Sequence, residues 1–149
     1  MTVHDEGAPE RQRHALSLLQ RMLGPDAAFH DGQWEAIECV ALRRRRLLVV
    51  QRTGWGKSVV YFLAARILRE AGAGPTLLIS PLLSLMRTQI AMAERLGLQA
   101  KTVHSENVAE WAGVEKALAE ERCDVLLVSP ERLANADFLR RLLPLIQGR

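Results

Sequence analysis

Hydrophobic residues along the chain follow two different spacings in turn. Four short runs are predominantly apolar, which is typical of strands buried in a parallel sheet. They comprise residues 47–50, 76–79, 101–103 and 125–128. After each run, apolar residues recur at helical spacing. The helices predicted there comprise residues 57–71, 82–96, 109–121 and 131–146. These repeated strand–helix units predict an α/β fold in which a parallel sheet carries helices on both faces.

Two further helices are predicted before the first strand. One begins near Pro9 and ends at Gly24, because proline suits the first helical turn and glycine the residue after the last. The other comprises residues 31–43, where Trp34 and Ile37 recur at helical spacing. No internal repeat or linker interrupts this succession of elements.

The segment after the first strand has the sequence of a phosphate-binding loop. Residues 51–58 are Gln-Arg-Thr-Gly-Trp-Gly-Lys-Ser, between an apolar run and a helix. Backbone N–H groups of such a loop point at phosphate oxygens, the lysine contacts the terminal phosphates and the serine hydroxyl ligates Mg²⁺. The predicted phosphate-binding residues are Thr53, Gly54, Trp55, Gly56, Lys57 and Ser58. Gln51 stands where the full pattern has glycine, so a plain strand–turn–helix with a surface lysine is the alternative.

Composition limits the class of protein only broadly. The 149 residues are 48% hydrophobic and 25% charged, as in ordinary globular domains. The net charge of +3 permits a nucleic-acid partner without requiring one. No apolar run approaches the roughly 20 residues of a membrane span, and the first residues do not form a signal peptide. Cys39 and Cys123 lack metal-like spacing, so we expect a cytoplasmic protein without a membrane partner.

Two Ser-Pro junctions follow predicted strands, at Ser80-Pro81 and at Ser129-Pro130. Serine is a good helix N-cap and proline suits the next position, so each junction has a purely structural explanation. The functional alternative is that these helix N-termini bind nucleic-acid phosphates. Arg87 and Arg132, on the helices that follow, would then add backbone contacts.

Four segments in this order resemble motifs 0, I, Ia and Ic of superfamily 2 DNA helicases, most closely those of the RecQ family. They are residues 29–37, 51–58, 80–89 and 128–133. The resemblance implies an incomplete RecA-like P-loop NTPase domain of the DEAD/DEAH-box type at residues 25–149, preceded by a helical arm at residues 1–24. It also implies ATP and Mg²⁺ as cofactors, DNA as partner, and ATP-driven 3′-to-5′ unwinding of duplex DNA.

The resemblance also implies roles for single residues. Gln33 matches the glutamine that reads the adenine edge, and His30 stands where the family has arginine in the same motif. The alternative for Gln33 is an exposed helix residue. Single-stranded DNA contacts are implied for Ser80, Pro81, Arg87, Gln89, Ser129 and Arg132, and more loosely for His104. Pro25 and Asp26 depart from the family, which has an adenine-stacking aromatic residue near these positions.

The acidic motif of the family, Asp-Glu-x-His, does not occur in these 149 residues. We therefore assign no catalytic residue, and expect the chain to be the ATP-binding part of a longer helicase, inactive without its C-terminal helicase domain. Without the acidic-motif strand, residues 47–50 would lack neighbours in the sheet. The alternatives are a non-catalytic module that binds nucleotide or single-stranded DNA, and another P-loop NTPase or kinase.

Overall fold

The computed structural model describes residues 7–81 and 83–147. Position 82, where one predicted helix begins, lies outside this range, as do residues 1–6 of the predicted segment 1–24 and residues 148–149 of the predicted segment 25–149. The described residues form two compact units that divide between Ile67 and Leu68. The segment boundary at residue 24 stays a prediction.

Helix α1, Ala8–Leu23, opens the first unit. Pro9 lies in its first turn, and its buried face consists of Ala15, Leu18, Leu19 and Met22. Gly24 follows with a φ of 114°, and its N–H donates to the Gln20 carbonyl at 2.9 Å. Proline and glycine therefore mark the two ends of this helix, as predicted.

Two more helices of the first unit flank the phosphate-binding segment. Helix α2, Gln33–Ile37, continues as one π-helical turn, Glu38–Leu42. Helix α3, Lys57–Glu70, begins at the predicted lysine. Its buried residues are Val59, Val60, Phe62, Leu63, Ala64 and Ala65.

The strand predicted at residues 47–50 is wrong. The segment is irregular, with Leu48 exposed to 86% and Val50 to 82%. A strand forms only when a neighbouring backbone accepts and donates its hydrogen bonds. Within residues 7–81 and 83–147, no strand pairs with this run. Apolar composition alone therefore does not make it a strand.

The second unit contains the parallel sheet. Its strands are β1, Thr76–Ile79, β2, Ala100–Val103, and β3, Val125–Val128, in the order β1-β3-β2. Ile79 and Val103 both align with Val128, so the three carboxyl ends are level. The central strand β3 is buried along its whole length, which explains its uninterrupted apolar sequence. The predicted α/β fold with a parallel sheet is confirmed.

Helices cover both faces of β2. Alternate residues of a strand point to opposite faces. Thr102 contacts Met86 of α4, Leu83–Arg95, through a hydroxyl–sulfur hydrogen bond of 3.2 Å. Val103, on the other face, belongs to a buried cluster with α5, Trp111–Ala119. The members of this cluster are Val103, Trp111, Val114, Ala117, Leu118, Cys123, Leu126, Val128, Phe138 and Leu142.

The single helix predicted at residues 131–146 is wrong. The chain forms a 3-10 turn, Pro130–Ala134, then a π-helical turn, Phe138–Leu142, and a short helix α6, Leu143–Ile146. Asn135 interrupts the helix, since its backbone is extended and its side-chain oxygen accepts the Phe138 N–H at 3.0 Å. Asparagine side chains commonly compete with helical hydrogen bonds in this way.

Candidate functional site

The loop before α3 has the backbone shape that its glycines permit. Gly54 has a φ of 86° and Gly56 a φ of 95°, where residues with a Cβ are strained. The Trp55 N–H donates to the Arg52 carbonyl at 3.4 Å and the Val59 N–H to the Gly56 carbonyl at 3.1 Å. The loop therefore turns sharply and leads straight into the first turn of α3.

Lys57 and Ser58 open α3 at the end of this loop. The N–H groups of a first helical turn have no acceptor within the helix, and the helix dipole favours an anion there. The exposed Lys57 ammonium donates to the carbonyl of Gln51 and, at 3.1 Å, to that of Arg52. A flexible ammonium, a hydroxyl and the N–H groups at the start of the helix are a donor set that fits a phosphate group.

The side chain of Gln33, in α2, is hydrogen-bonded to the backbone of the loop. Its side chain is 2% exposed, and its Nε2 donates to the carbonyls of Trp55 at 2.9 Å and Gly56 at 3.4 Å. Its Oε1 accepts the His30 N–H at 2.7 Å. The His30 ring contacts the same Trp55 carbonyl at 3.0 Å, which requires the proton on Nδ1. The alternative of an exposed Gln33 is therefore wrong.

Trp55 packs inside the first unit. The residue is 8% exposed, and its indole N–H donates to the Asp31 carbonyl at 3.2 Å. A Cβ on Gly32 would lie 3.8 Å from its ring. Together with Gln33 and His30, this tryptophan joins residues 30–33 to the loop. Sequence reasoning missed the connection, because no local pattern marks contacts between residues more than twenty positions apart.

Six other predicted residues lie in the second unit, at or after the carboxyl ends of β1 and β3. Ser80 and Ser129 follow the aligned residues Ile79 and Val128, so the two junctions are neighbours at one edge of the sheet. The Ser80 N–H donates to the Val128 carbonyl at 3.0 Å. Pro81 and Arg87 are exposed, whereas Gln89 is half-buried.

The Ser129 hydroxyl is engaged within its own junction. The residue is 2% exposed and its Oγ donates to Oε1 of Glu131 at 2.5 Å. This hydrogen bond lowers the pKa of the Glu131 carboxyl below its ordinary value. Ser129 stands at the N-cap position before Pro130 but makes no side-chain capping hydrogen bond, so its hydroxyl positions the Glu131 carboxylate and does not cap the turn.

Arg132 lies against an aromatic ring. Its guanidinium carbon is 5.7 Å from the centre of the Trp111 ring, within the range of a cation–π interaction. The Trp111 indole N–H in turn donates to Oδ1 of Asn107 at 3.3 Å, and Asn107 donates to the Thr102 carbonyl at 2.7 Å. Asn107 also accepts the His104 N–H at 2.9 Å. The sequence did not indicate that buried Asn107 joins His104, Thr102 and Trp111 by hydrogen bonds.

The predicted residues thus form two groups. His30, Gln33 and residues 53–58 converge in the first unit. In the second unit, the junctions at Ser80 and Ser129 lie at the sheet edge, and Arg87 and Gln89 lie on α4. In the part of the chain that the structure describes, no three His, Cys, Asp or Glu side chains are placed to hold a metal ion. No helix there has the length and apolar character required to cross a bilayer.

Comparison with known proteins gives consistent matches. Residues 30–146 match the model of the DEAD/DEAH box helicase family. The chain is 34% identical over 129 residues to the ATP-dependent DNA helicase RecQ of Bacillus subtilis (strain 168), which covers 86% of this chain and 21% of that protein. It is 39% identical over 116 residues to the ATP-dependent DNA helicase RecQ of Synechocystis sp., covering 77% of this chain and 23% of that one. The ATP-dependent DNA helicase Q-like 5 of Arabidopsis thaliana is 38% identical over 125 residues, 82% of this chain and 13% of its own. The chain therefore spans about a fifth of the length of its bacterial relatives.

Proposed function

The chain belongs to the DEAD/DEAH box helicase family, and we propose that it is the ATP-binding part of a RecQ-like ATP-dependent DNA helicase. In the complete protein, ATP hydrolysis would drive 3′-to-5′ unwinding of duplex DNA. The observation that carries this proposal is the loop turned by Gly54 and Gly56, which delivers Lys57 and Ser58 to the N-terminus of α3. RecQ helicases that match most of this chain support it.

The phosphate-binding roles follow from the donor set of the loop. Backbone N–H groups of residues 53–56 would face the phosphates, and the Lys57 ammonium would exchange its two carbonyl acceptors for phosphate oxygens. The Ser58 hydroxyl would ligate the Mg²⁺ that accompanies ATP. Bound Mg²⁺ neutralises phosphate charge. Lys57 contributes a charged donor without strain because its long side chain is exposed.

The DNA-binding roles are assigned to the sheet edge of the second unit. Ser80, Pro81 and Arg132 would follow the phosphates of a single strand from the ends of β1 and β3. The buried Ser129 would join them only by exchanging its hydrogen bond to Glu131 for a phosphate oxygen. Arg87 and Gln89 would extend this contact along α4. Arg87 is the strongest candidate, since its exposed guanidinium lines a groove of about 670 Å³ beside His104 and Asn107.

Hydrolysis needs groups that these 149 residues do not supply. The sequence holds no Asp-Glu-x-His motif, so the chain alone would bind ATP without turnover. We propose that the acidic motif and a second helicase domain act together with this chain in the complete protein. A cytoplasmic location is proposed as well, since Cys39 and Cys123 are both free thiols.

Single-stranded DNA binding tests the proposal. Fluorescence anisotropy with a labelled oligonucleotide should show affinity that falls with salt, because phosphate contacts release counterions. Arg87→Ala should weaken binding and reduce the slope of log K against log salt by about 0.7. The matched control is Arg21→Ala, which removes an exposed arginine of α1 outside every motif.

Affinity that does not change with salt, or equal effects of the two substitutions, would contradict a phosphate-tracking role. A small-molecule kinase should not bind the labelled oligonucleotide. The DNA experiment therefore also separates the helicase proposal from the other P-loop enzymes.

A further inference from the structure

Four consecutive arginines, residues 43–46, follow the π-helical turn of the first unit and are here called the basic patch. We infer that the basic patch is a second DNA contact of this chain and binds the phosphate backbone of a duplex. The inference goes beyond the proposed function, which assigns a single strand to the sheet edge of the second unit. Such a contact is independent of base sequence, since phosphates carry no sequence information.

The positive charge of the chain is concentrated around the basic patch. Residues 39–67 contain seven of the 20 Lys and Arg residues and none of the 17 Asp and Glu residues. Acidic residues therefore outnumber basic ones in the rest of the chain. A basic stretch in an otherwise acidic chain indicates attraction of a polyanion.

The guanidinium groups of the basic patch are accessible to a ligand. All four arginines are exposed. Arg43 pairs with Glu38 at 2.9 Å, and 60% of its side chain is exposed. Within residues 7–81 and 83–147, no hydrogen bond or ion pair engages the other three guanidinium groups. Three charged donors can therefore bind phosphates without breaking a contact inside the chain.

Stabilisation of the preceding helix explains only part of the basic patch. Cations stabilise a helix C-terminus within its last turn. Arg43 is the C-cap of the turn Glu38–Leu42 and supplies this charge. Arg44 has a φ of 52°, a backbone conformation in which glycine or asparagine is usual. Helix capping does not explain an arginine there with two more after it, whereas phosphate binding does.

The backbone of the basic patch is held in place by two hydrogen bonds. The Arg43 N–H donates to the Glu38 carbonyl at 2.9 Å, and the Arg45 N–H donates to the Cys39 carbonyl at 3.0 Å. Only side chains must therefore be ordered when a ligand binds, which lowers the entropic cost of binding. Guanidinium groups suit this role, because their planar forks match pairs of phosphate oxygens.

The residues around the basic patch favour a duplex over other polyanions. Sites for single strands add aromatic rings on which bases stack, and residues 35–54 contain no Phe, Trp, Tyr or His. A duplex presents its backbone and carries one negative charge per about 1.7 Å of helix axis. A membrane surface would require an apolar helical face, but Leu47 and Leu48 lie in an irregular segment.

Fluorescence anisotropy with a labelled blunt duplex of about 20 base pairs, roughly two helical turns, tests the inference. The patch variant carries Arg44→Gln, Arg45→Gln and Arg46→Gln, and it leaves Arg43 and its ion pair in place. Each phosphate contact contributes about 0.9 to the slope of log K against log salt, so this slope should fall by about 2.7. Duplex affinity should fall by at least about tenfold at about 0.1 M salt. Single-strand affinity should change by less than about threefold, since the sheet edge is unaltered.

Two further variants separate clustered charge from net charge and from damage to the fold. The control variant removes the same charge from three exposed arginines elsewhere, with Arg13→Gln, Arg21→Gln and Arg140→Gln. It should lower the duplex slope by less than about 1. A lysine version of the patch, with Arg44→Lys, Arg45→Lys and Arg46→Lys, should keep most of the wild-type slope, because counterion release depends on charge. If the lysine version loses as much as the patch variant, charge is not the cause and the inference is overturned.

Equal effects of the patch variant and the control variant on duplex binding would overturn the inference, as would equal losses of duplex and single-strand binding. Half-saturation by vesicles of phosphatidylcholine and phosphatidylserine at a lower phosphate concentration than by the duplex would overturn it in favour of a membrane surface. Failure of the proposed function is a distinct outcome, since it is measured by ATP binding and by the effect of Arg87→Ala on a single strand.

Discussion

Comparing Gly54→Ala with Gly56→Ala in the phosphate-binding loop separates the cost of backbone strain from the cost of a steric clash. Gly54 and Gly56 have similar positive φ values, 86° and 95°. A Cβ at such an angle costs roughly 1–2 kcal/mol, and the lower unfolded-state entropy of alanine offsets about 0.4–1 kcal/mol of this. We therefore expect Gly54→Ala, which has open space around its Cβ, to lower the free energy of unfolding by about 1 kcal/mol.

Gly56→Ala carries an additional penalty. Its Cβ would lie 2.5 Å from Nε2 of Gln33, so the buried amide must move away from its carbonyl acceptors. A buried polar group without partners costs about 1–3 kcal/mol, which brings the expected destabilisation by Gly56→Ala to about 3 kcal/mol. The difference in unfolding free energy between the two variants measures how much the hydrogen bonds of Gln33 to the loop contribute to stability.

Urea unfolding followed by circular dichroism measures both variants against the wild type, with unchanged m-values as the condition for comparison. Crossing Gly56→Ala with Gln33→Ala provides the control, since the extra penalty should vanish once the glutamine is gone. If the two glycine variants differ by less than about 0.5 kcal/mol, the contact between Gln33 and Gly56 does not constrain the loop.

Two further predictions concern the second unit. Ser129→Ala should raise the pKa of Glu131, because it removes the hydrogen bond that lowers this pKa, and NMR titration of the carboxyl carbon measures the shift. The pKa of Glu131 is lower in the folded than in the unfolded state. The hydrogen bond therefore stabilises the fold at pH values above the ordinary pKa of 4.5, and this stabilisation is lost as the pH falls through the lowered pKa. An unchanged titration curve would contradict the assigned hydrogen bond. Arg69→Met should lower the free energy of unfolding by about 2 kcal/mol, because it breaks a partly buried, hydrogen-bonded ion pair with Asp124 at 2.7 Å. A loss below about 0.5 kcal/mol would show that water replaces the ion pair.

The sequence was most informative where the signal is local. Proline and glycine marked both ends of α1, and the apolar run at Val125–Val128 predicted a strand that is buried throughout. The loop before α3 was predicted from its glycines, lysine and serine, and it leads into the helix at the predicted lysine. These features were predicted from short stretches of sequence.

The sequence was least informative where the outcome depends on distant groups. Residues 47–50 are as apolar as a strand, but strand formation requires a partner that composition cannot supply. Asn135 interrupts the last helix through a side-chain hydrogen bond that helical spacing does not reveal. The hydrogen bond from Gln33 to the Trp55 carbonyl joins positions 22 residues apart, which no local sequence pattern reveals, and the adenine-reading role of Gln33 stays a prediction.

The affinity of ATP for the wild-type chain and for Lys57→Ala tests the central claim most directly, because the claim assigns the terminal phosphates to this ammonium. Loss of a charged hydrogen-bond donor should weaken ATP binding by at least about tenfold in calorimetry with Mg²⁺ present. Lys116→Ala, which removes a surface lysine of α5, should leave the affinity unchanged. Equal affinities of wild type and Lys57→Ala, or no ATP binding by the wild type, would contradict the account.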